Sequence, residues 1–248
     1  MLISIAYINE EKGDYMEING VWGSLYRVSI WVSRFALLNV LWIVATLIGF
    51  ILLGIFPATI AMFTVVRKWV QKEYDIPVFQ TFYKSFKTNF LQANGFGIII
   101  YVFGYILSVF LKYTGLMNDS VFHSVLLGIF VLAAFFYVML LVYIGPVYVH
   151  YNLNFWQYIR YAITIGAVNL HYSISILTLL TGVYFLTFHY PAISLVFSFS
   201  VSAYITMLLA NIGFEQLLKK QKQARIEVEE SQSNISTINT TSHIHESR

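Results

Sequence analysis

Ser194, Ser198, Ser202, Thr206 and Ala210 recur at every fourth residue and therefore share one face of a helix. Small hydroxyl-bearing residues at that spacing can do two things. They can let a second helix approach closely and bond across the contact, at about 0.6 kcal/mol per hydroxyl, or they can line a polar path for water or sugar. Close packing is the preferred reading. Asn39, Asn94 and Asn211, solitary amides in apolar surroundings, suit interhelical hydrogen bonding in the same way. No other set of side chains converges on chemistry. The histidines never fall at zinc-ligand spacing on a helix, and the one close pair, His243 and His245, lies near the C-terminal end. Cysteine is absent, which removes disulfides, thiol catalysis and thiolate metal sites. Gly-rich phosphate loops and nucleophile elbows are also missing, and the scarce acids cluster at Glu10 to Glu17 and Glu227 to Glu230. The expectation is a protein that is not an enzyme and carries no cofactor or metal.

The elements that must position these residues are set by hydrophobicity. Between Arg34 and Arg67 about 32 residues pass without a charge, and roughly 20 apolar residues suffice to cross a bilayer. The chain is 58% hydrophobic and 11% charged, against about 25% charge in soluble domains, so its outer surface faces lipid. The net charge of +3 is spread over the ends of apolar runs, a pattern of membrane orientation and not of nucleic-acid binding. Asp119, His123, His150, His171, His189 and Glu215 all lie at or beyond the ends of these runs, which argues against an ion-driven pump.

The expected fold is all-α: a polytopic transmembrane bundle of five or six spans with amphipathic helices at the cytoplasmic interface. Residues 1–20 read as an N-terminal tail and 21–34 as an amphipathic lead-in. The transmembrane domain covers 35–213, with spans near 35–56, 57–72 (short), 95–111, 121–149, 172–187 and 191–213. Residues 214–248, rich in Lys, Glu, Gln, Ser, Thr and Asn, read as a disordered cytoplasmic tail. Whether the segment after Pro57 crosses decides between six spans and five. Six are favoured, because they place nearly every Lys and Arg near a span on the cytoplasmic side.

Phe79, Phe82, Phe86 and Phe90 repeat at i+3 and i+4 after Pro77, the pattern of an amphipathic interfacial helix. Its aromatic face can sink into the headgroup boundary while Gln80, Lys84 and Lys87 meet water. Membrane anchoring is the preferred reading, and the sharper alternative is a docking helix that presents Lys84 and Lys87 to a cytoplasmic partner. Phe155 to Tyr161 looks like a weaker counterpart.

Four pieces occur in order at close spacing: Asn39-Val40-Leu41-Trp42, Gly54-Ile55-Phe56-Pro57-Ala58-Thr59, Val66-Arg67-Lys68-Trp69, and the helix from Pro77 to Lys87. With these, the chain resembles the YesL-type family of bacterial integral membrane proteins, whose molecular activity is unassigned. The resemblance is densest from Tyr26 to Gly97. The positions matching the family pattern are Asn39, Trp42, Pro57, Ala58, Thr59, Arg67, Lys68, Trp69, Pro77, Phe79, Phe82, Phe86 and Asn94, and no catalytic residue carries over. The resemblance implies a multi-pass protein of the bacterial plasma membrane in an accessory or regulatory role in sugar uptake, with the lipid bilayer and a sugar ABC importer or another membrane protein as partners. A small stand-alone transporter or channel is the alternative.

Overall fold

A computed structural model describes residues 21–115 and 121–246, and the side chains of 25–115, 121–191, 196–227 and 229. The N-terminal tail expected over 1–20 lies outside the described residues. Seven helices follow one another: α1 (Val21–Ile48), α2 (Ile55–Val70), α3 (Val78–Thr114), α4 (Val121–His150), α5 (Phe155–Val168), α6 (Leu170–His189) and α7 (Pro191–Glu246). No strand occurs among the described residues. Five helices, α1, α3, α4, α6 and α7, are long and apolar enough to cross a membrane.

The charge-free run is a helical hairpin. α1 stops at Ile48, short of the span expected to reach Phe56, because the chain folds back through a tight turn over 49–54. Ile51 N–H returns to Thr46 O at 2.9 Å and Phe50 and Ile51 adopt positive φ. A Cβ on Gly54 would stand 2.4 Å from Thr46 O, so only glycine lets the returning strand of backbone pass. α2 then runs antiparallel to α1: Trp42 Nε1–H donates to Thr59 Oγ1 at 3.1 Å near the turn, and the Trp31 and Phe35 rings meet Trp69 edge-on at 5.8 Å at the far end.

α2 occupies the centre of the bundle, packed against α1, α3, α4 and α7. Its length of 16 residues is about 24 Å. Nine of those residues are buried, among them Pro57, Ala58, Phe63 and Trp69. Two glycines make the close approach possible. Phe56 lies against Gly97 on α3 and Phe63 against Gly145 on α4, where an added Cβ would come within 2.3 and 2.4 Å of the respective rings.

Three expectations are corrected. The aromatic helix after Pro77 and the span that follows are one continuous helix, α3, since 91–94 carries neither proline nor glycine to interrupt it. Its aromatic face points inward as well as out: Phe82 is 3% exposed and packs with Phe86 into the cluster around Trp69, leaving Phe79 at 62%. Burial against α1 and α2 removes more apolar surface from water than the headgroup region could. At the C-terminal end the helix continues to Glu246 in place of an irregular tail. The stretch Lys219 to Glu230 is mostly Lys, Gln, Ala, Arg and Glu and has neither Gly nor Pro, a composition that favours helix.

Candidate functional site

The signature residues converge on one end of the bundle, where α2 finishes. α2 closes in a Schellman motif, with Glu73 N–H bonded to Lys68 O at 2.9 Å and Lys72 N–H to Trp69 O at 3.0 Å. This requires φ of 69° at Lys72. The motif also brings Glu73 Oε2 to 3.2 Å from Lys68 Nζ.

The first half of α3 has two faces. Val78, Phe82 and Phe86 pack into the α1–α2 cluster. Thr81, Lys84, Ser85, Thr88, Asn89 and Gln92 fall at i, i+3, i+4, i+7, i+8 and i+11, which makes a polar stripe along one side. That stripe does not simply face open water. Together with Thr64 and Lys68 of α2, Tyr148 and Val149 of α4, Tyr151 and Asn152 of the following loop, and Tyr158 of α5, it lines a cleft of about 620 Å³.

A directed chain of hydrogen bonds crosses the base of this cleft. The Tyr148 hydroxyl donates to Asn89 Oδ1 at 2.9 Å; Asn89 Nδ2–H donates to Ser85 Oγ at 3.1 Å; Ser85 pairs with Thr64 Oγ1 at 2.8 Å; and Thr64 donates to Ile60 O at 2.9 Å. With Thr64's proton committed to Ile60, Ser85 is the donor in the third bond. Asn89, Ser85 and Thr64 each accept as well as donate, so the bonds reinforce one another and tie α4, α3 and α2 together. Gln92 Oε1 lies 2.9 Å from the same Tyr148 hydroxyl and shares its single proton.

Tyr158 secures the other wall. Its hydroxyl donates to Tyr151 O at 3.1 Å and accepts from Leu153 N–H at 3.2 Å, while its ring sits 4.9 Å from that of Tyr148. α5 is started by Gln157 Oε1 accepting from Asn154 N–H at 3.0 Å. Burial, with a smaller contribution from neighbouring Tyr161, pushes the Tyr151 hydroxyl above its ordinary value, so it stays neutral near pH 7.

Of the residues singled out from sequence, only Lys68 and Lys84 line the cleft. Asn39 is buried and accepts from Ser200 N–H of α7 at 3.2 Å. Asn94 and Asn211 bond within their own helices: Asn94 donates to Phe90 O and Asn211 to Glu215 Oε1, each one turn away. Pro57 and Ala58 are buried in the first turn of α2, Arg67 is half-buried, Pro77 caps α3, and Lys87 is exposed. In the hydroxyl row, Ser198 shares a 2.9 Å hydrogen bond with Thr187 of α6, Ser202 is half-buried, and Thr206 and Ala210 are buried. The Ser194 side chain lies outside the described residues. Thr64, Ser85, Asn89, Gln92, Tyr148, Asn152 and Tyr158 were not singled out from sequence. The stripe on α3 carried a signal in its i+3, i+4 spacing, whereas nothing local announces that Tyr148 meets Asn89 across 59 residues.

Five long apolar helices, four of them packed on a short buried one, define an all-helical, multi-pass membrane protein. The chain belongs to the DUF624 family. The family described as "Protein of unknown function, DUF624" matches residues 35–110, the segment that holds α2 and the polar stripe. Uncharacterized protein YteU of Bacillus subtilis (strain 168) is 32% identical over 209 residues, covering 84% of this chain and 91% of YteU. Uncharacterized protein YesL of the same organism is 28% identical over 197 residues, covering 79% of this chain and 82% of YesL, and uncharacterized protein YesV is 30% identical over 201 residues, covering 81% and 96%. The resemblance to the YesL-type family therefore holds. No solved structure matches the chain significantly.

Proposed function

We propose that this protein is an accessory subunit of the plasma membrane that docks a carbohydrate importer through the outer face of α3 and performs no catalysis of its own. The observation that carries the docking is an exposed ridge on the signature helix. Phe79, Tyr83, Lys87 and Leu91 lie at i, i+4, i+8 and i+12, all exposed, with Leu91 at 86% and the Phe79 and Tyr83 rings parallel at 6.4 Å. Exposed Phe and Tyr are among the residues enriched at interface cores, and Lys87 supplies a charge at their rim. The link to carbohydrate uptake rests on the family resemblance, and the cytoplasmic placement of this face and of the C-terminus on the gathering of Arg67, Lys68, Lys72, Lys84 and Lys87 at one end. The described hydroxyl row is taken up in packing α7 against its neighbours, which favours the accessory reading over a stand-alone channel.

Affinity-tagged protein purified from native membranes should bring down a sugar importer, identified by mass spectrometry. Lys87→Glu should reduce that recovery at least tenfold, since charge reversal at a docking rim opposes an acidic partner. Unchanged recovery of the importer with the variant would sink the docking face.

A further inference from the structure

The cleft among α2, α3 and the end of α4 has the chemistry of a ligand site. We propose that it binds a phosphate group carrying a polyol, with the phosphate at Lys68 and Lys84 and the polyol hydroxyls at the amide, threonine and tyrosine groups around them. This goes beyond the docking reading and does not depend on it.

Four observations support the assignment. The volume of about 620 Å³ falls within the roughly 300–1,000 Å³ of small-molecule sites. Two ammonium groups line it and no carboxylate does; Lys68 has Glu73 at its outer side, and Lys84 has no acidic partner among the described residues. A cleft so lined attracts an anion, and lysine holds phosphate as a point charge. Thr81, Thr88 and Asn152 make no side-chain hydrogen bond within the described protein, so their bonding capacity is open to a ligand. Behind them the chain from Tyr148 to Thr64 has already fixed the wall, so binding need not order it. A bare inorganic anion would leave the amides and hydroxyls of the cleft unused, and a neutral sugar would leave Lys84 without a counter-charge, since Lys68 alone is paired with Glu73.

The same chemistry can arrive as a soluble sugar phosphate or as the headgroup of phosphatidylglycerol, and the experiment separates these sources. Full-length protein is placed in phosphatidylcholine nanodiscs and titrated calorimetrically with glucose 6-phosphate, glucose and inorganic phosphate. The expected result is saturable binding of glucose 6-phosphate at least tenfold tighter than either fragment, weakened at least tenfold by Lys68→Gln with Lys84→Gln. In discs containing phosphatidylglycerol, native mass spectrometry should show that lipid retained by the wild type and lost from the same variant if the headgroup is the source. Binding in either arm that depends on the lysine pair supports the site. No glucose 6-phosphate binding, together with phosphatidylglycerol retention indifferent to the lysines, overturns it, and fragments that bind as tightly as glucose 6-phosphate overturn the combined ligand. Should the double variant fail to fold, Thr88→Val and Asn152→Ala, both at exposed positions, make the same comparison, and unchanged binding or retention in both counts against the site. Lys87→Glu lies outside the cleft and should bind as the wild type does, so failure of the docking face and failure of the cleft read out separately.

Discussion

Tyr148 shows how much one hydroxyl can hold. Its proton serves Asn89 and, through it, the bonds that reach Ser85 and Thr64. Tyr148→Phe removes that donor and leaves the Asn89 and Gln92 oxygens short of a partner, at a cost of about 1–3 kcal/mol. The lower end is expected because water can enter the cleft, and thermal unfolding in detergent measures it. Lys72 offers the opposite change. It holds φ of 69° at the end of α2, a conformation that costs an L-residue roughly 1 kcal/mol and glycine far less. Lys72→Gly should therefore raise the unfolding midpoint, and a lowered midpoint would show that the lysine side chain contributes more than the strain removes.

At the scale of elements, α2 is the part on which the others are assembled. A 16-residue helix can sit in the middle of a bundle only if its neighbours come close on several sides, and Gly97 and Gly145 permit this by admitting the Phe56 and Phe63 rings. Gly145→Ala would place a methyl 2.4 Å from the Phe63 ring, and Phe63 is itself buried. Overpacking of this kind costs about 1–3 kcal/mol. Adding Phe63→Leu should restore most of the loss, and the double-mutant cycle measures the coupling. Independent, additive effects would mean that the two elements adjust by another route. α3 serves two purposes at once. One side of its first half closes the aromatic cluster and another supplies the polar stripe, while its second half is among the spans.

For the molecule as a whole, the antiparallel pairing of α1 with α2 has a topological consequence. If α2 crosses, the turn at 49–54 and the start of α3 lie on opposite sides of the bilayer. The chain contains no cysteine, so single introduced thiols give a clean test. Leu52→Cys, at an exposed turn position, and Gln80→Cys, exposed on α3, should react with a membrane-impermeant maleimide from opposite sides, Leu52→Cys from outside intact cells. Labelling of both from the same side would show that α2 returns without crossing.

Much of the architecture was legible in the chain because the bilayer imposes a length and a composition on whatever crosses it. The run from Phe35 to Val66 and the other charge-poor runs determine an all-helical membrane protein, and the ordered pieces from Asn39 to Lys87 point to its family. The hairpin, too, followed from the distribution of Arg and Lys. What the tertiary structure alone decided is which side chains meet. Periodicity marked Phe82 as apolar but could not say whether it faces lipid or Trp69, since both are apolar surroundings. Polar residues on α3 read as facing water, yet Ser85 is buried and Asn89 half-buried where α4 packs against them, while Lys84, Thr88 and Gln92 stay exposed. The cleft exists because Tyr148 and Tyr158, some 60 residues and more along the chain from Asn89, are brought back to it by helix packing, and no local pattern encodes a contact made at that distance.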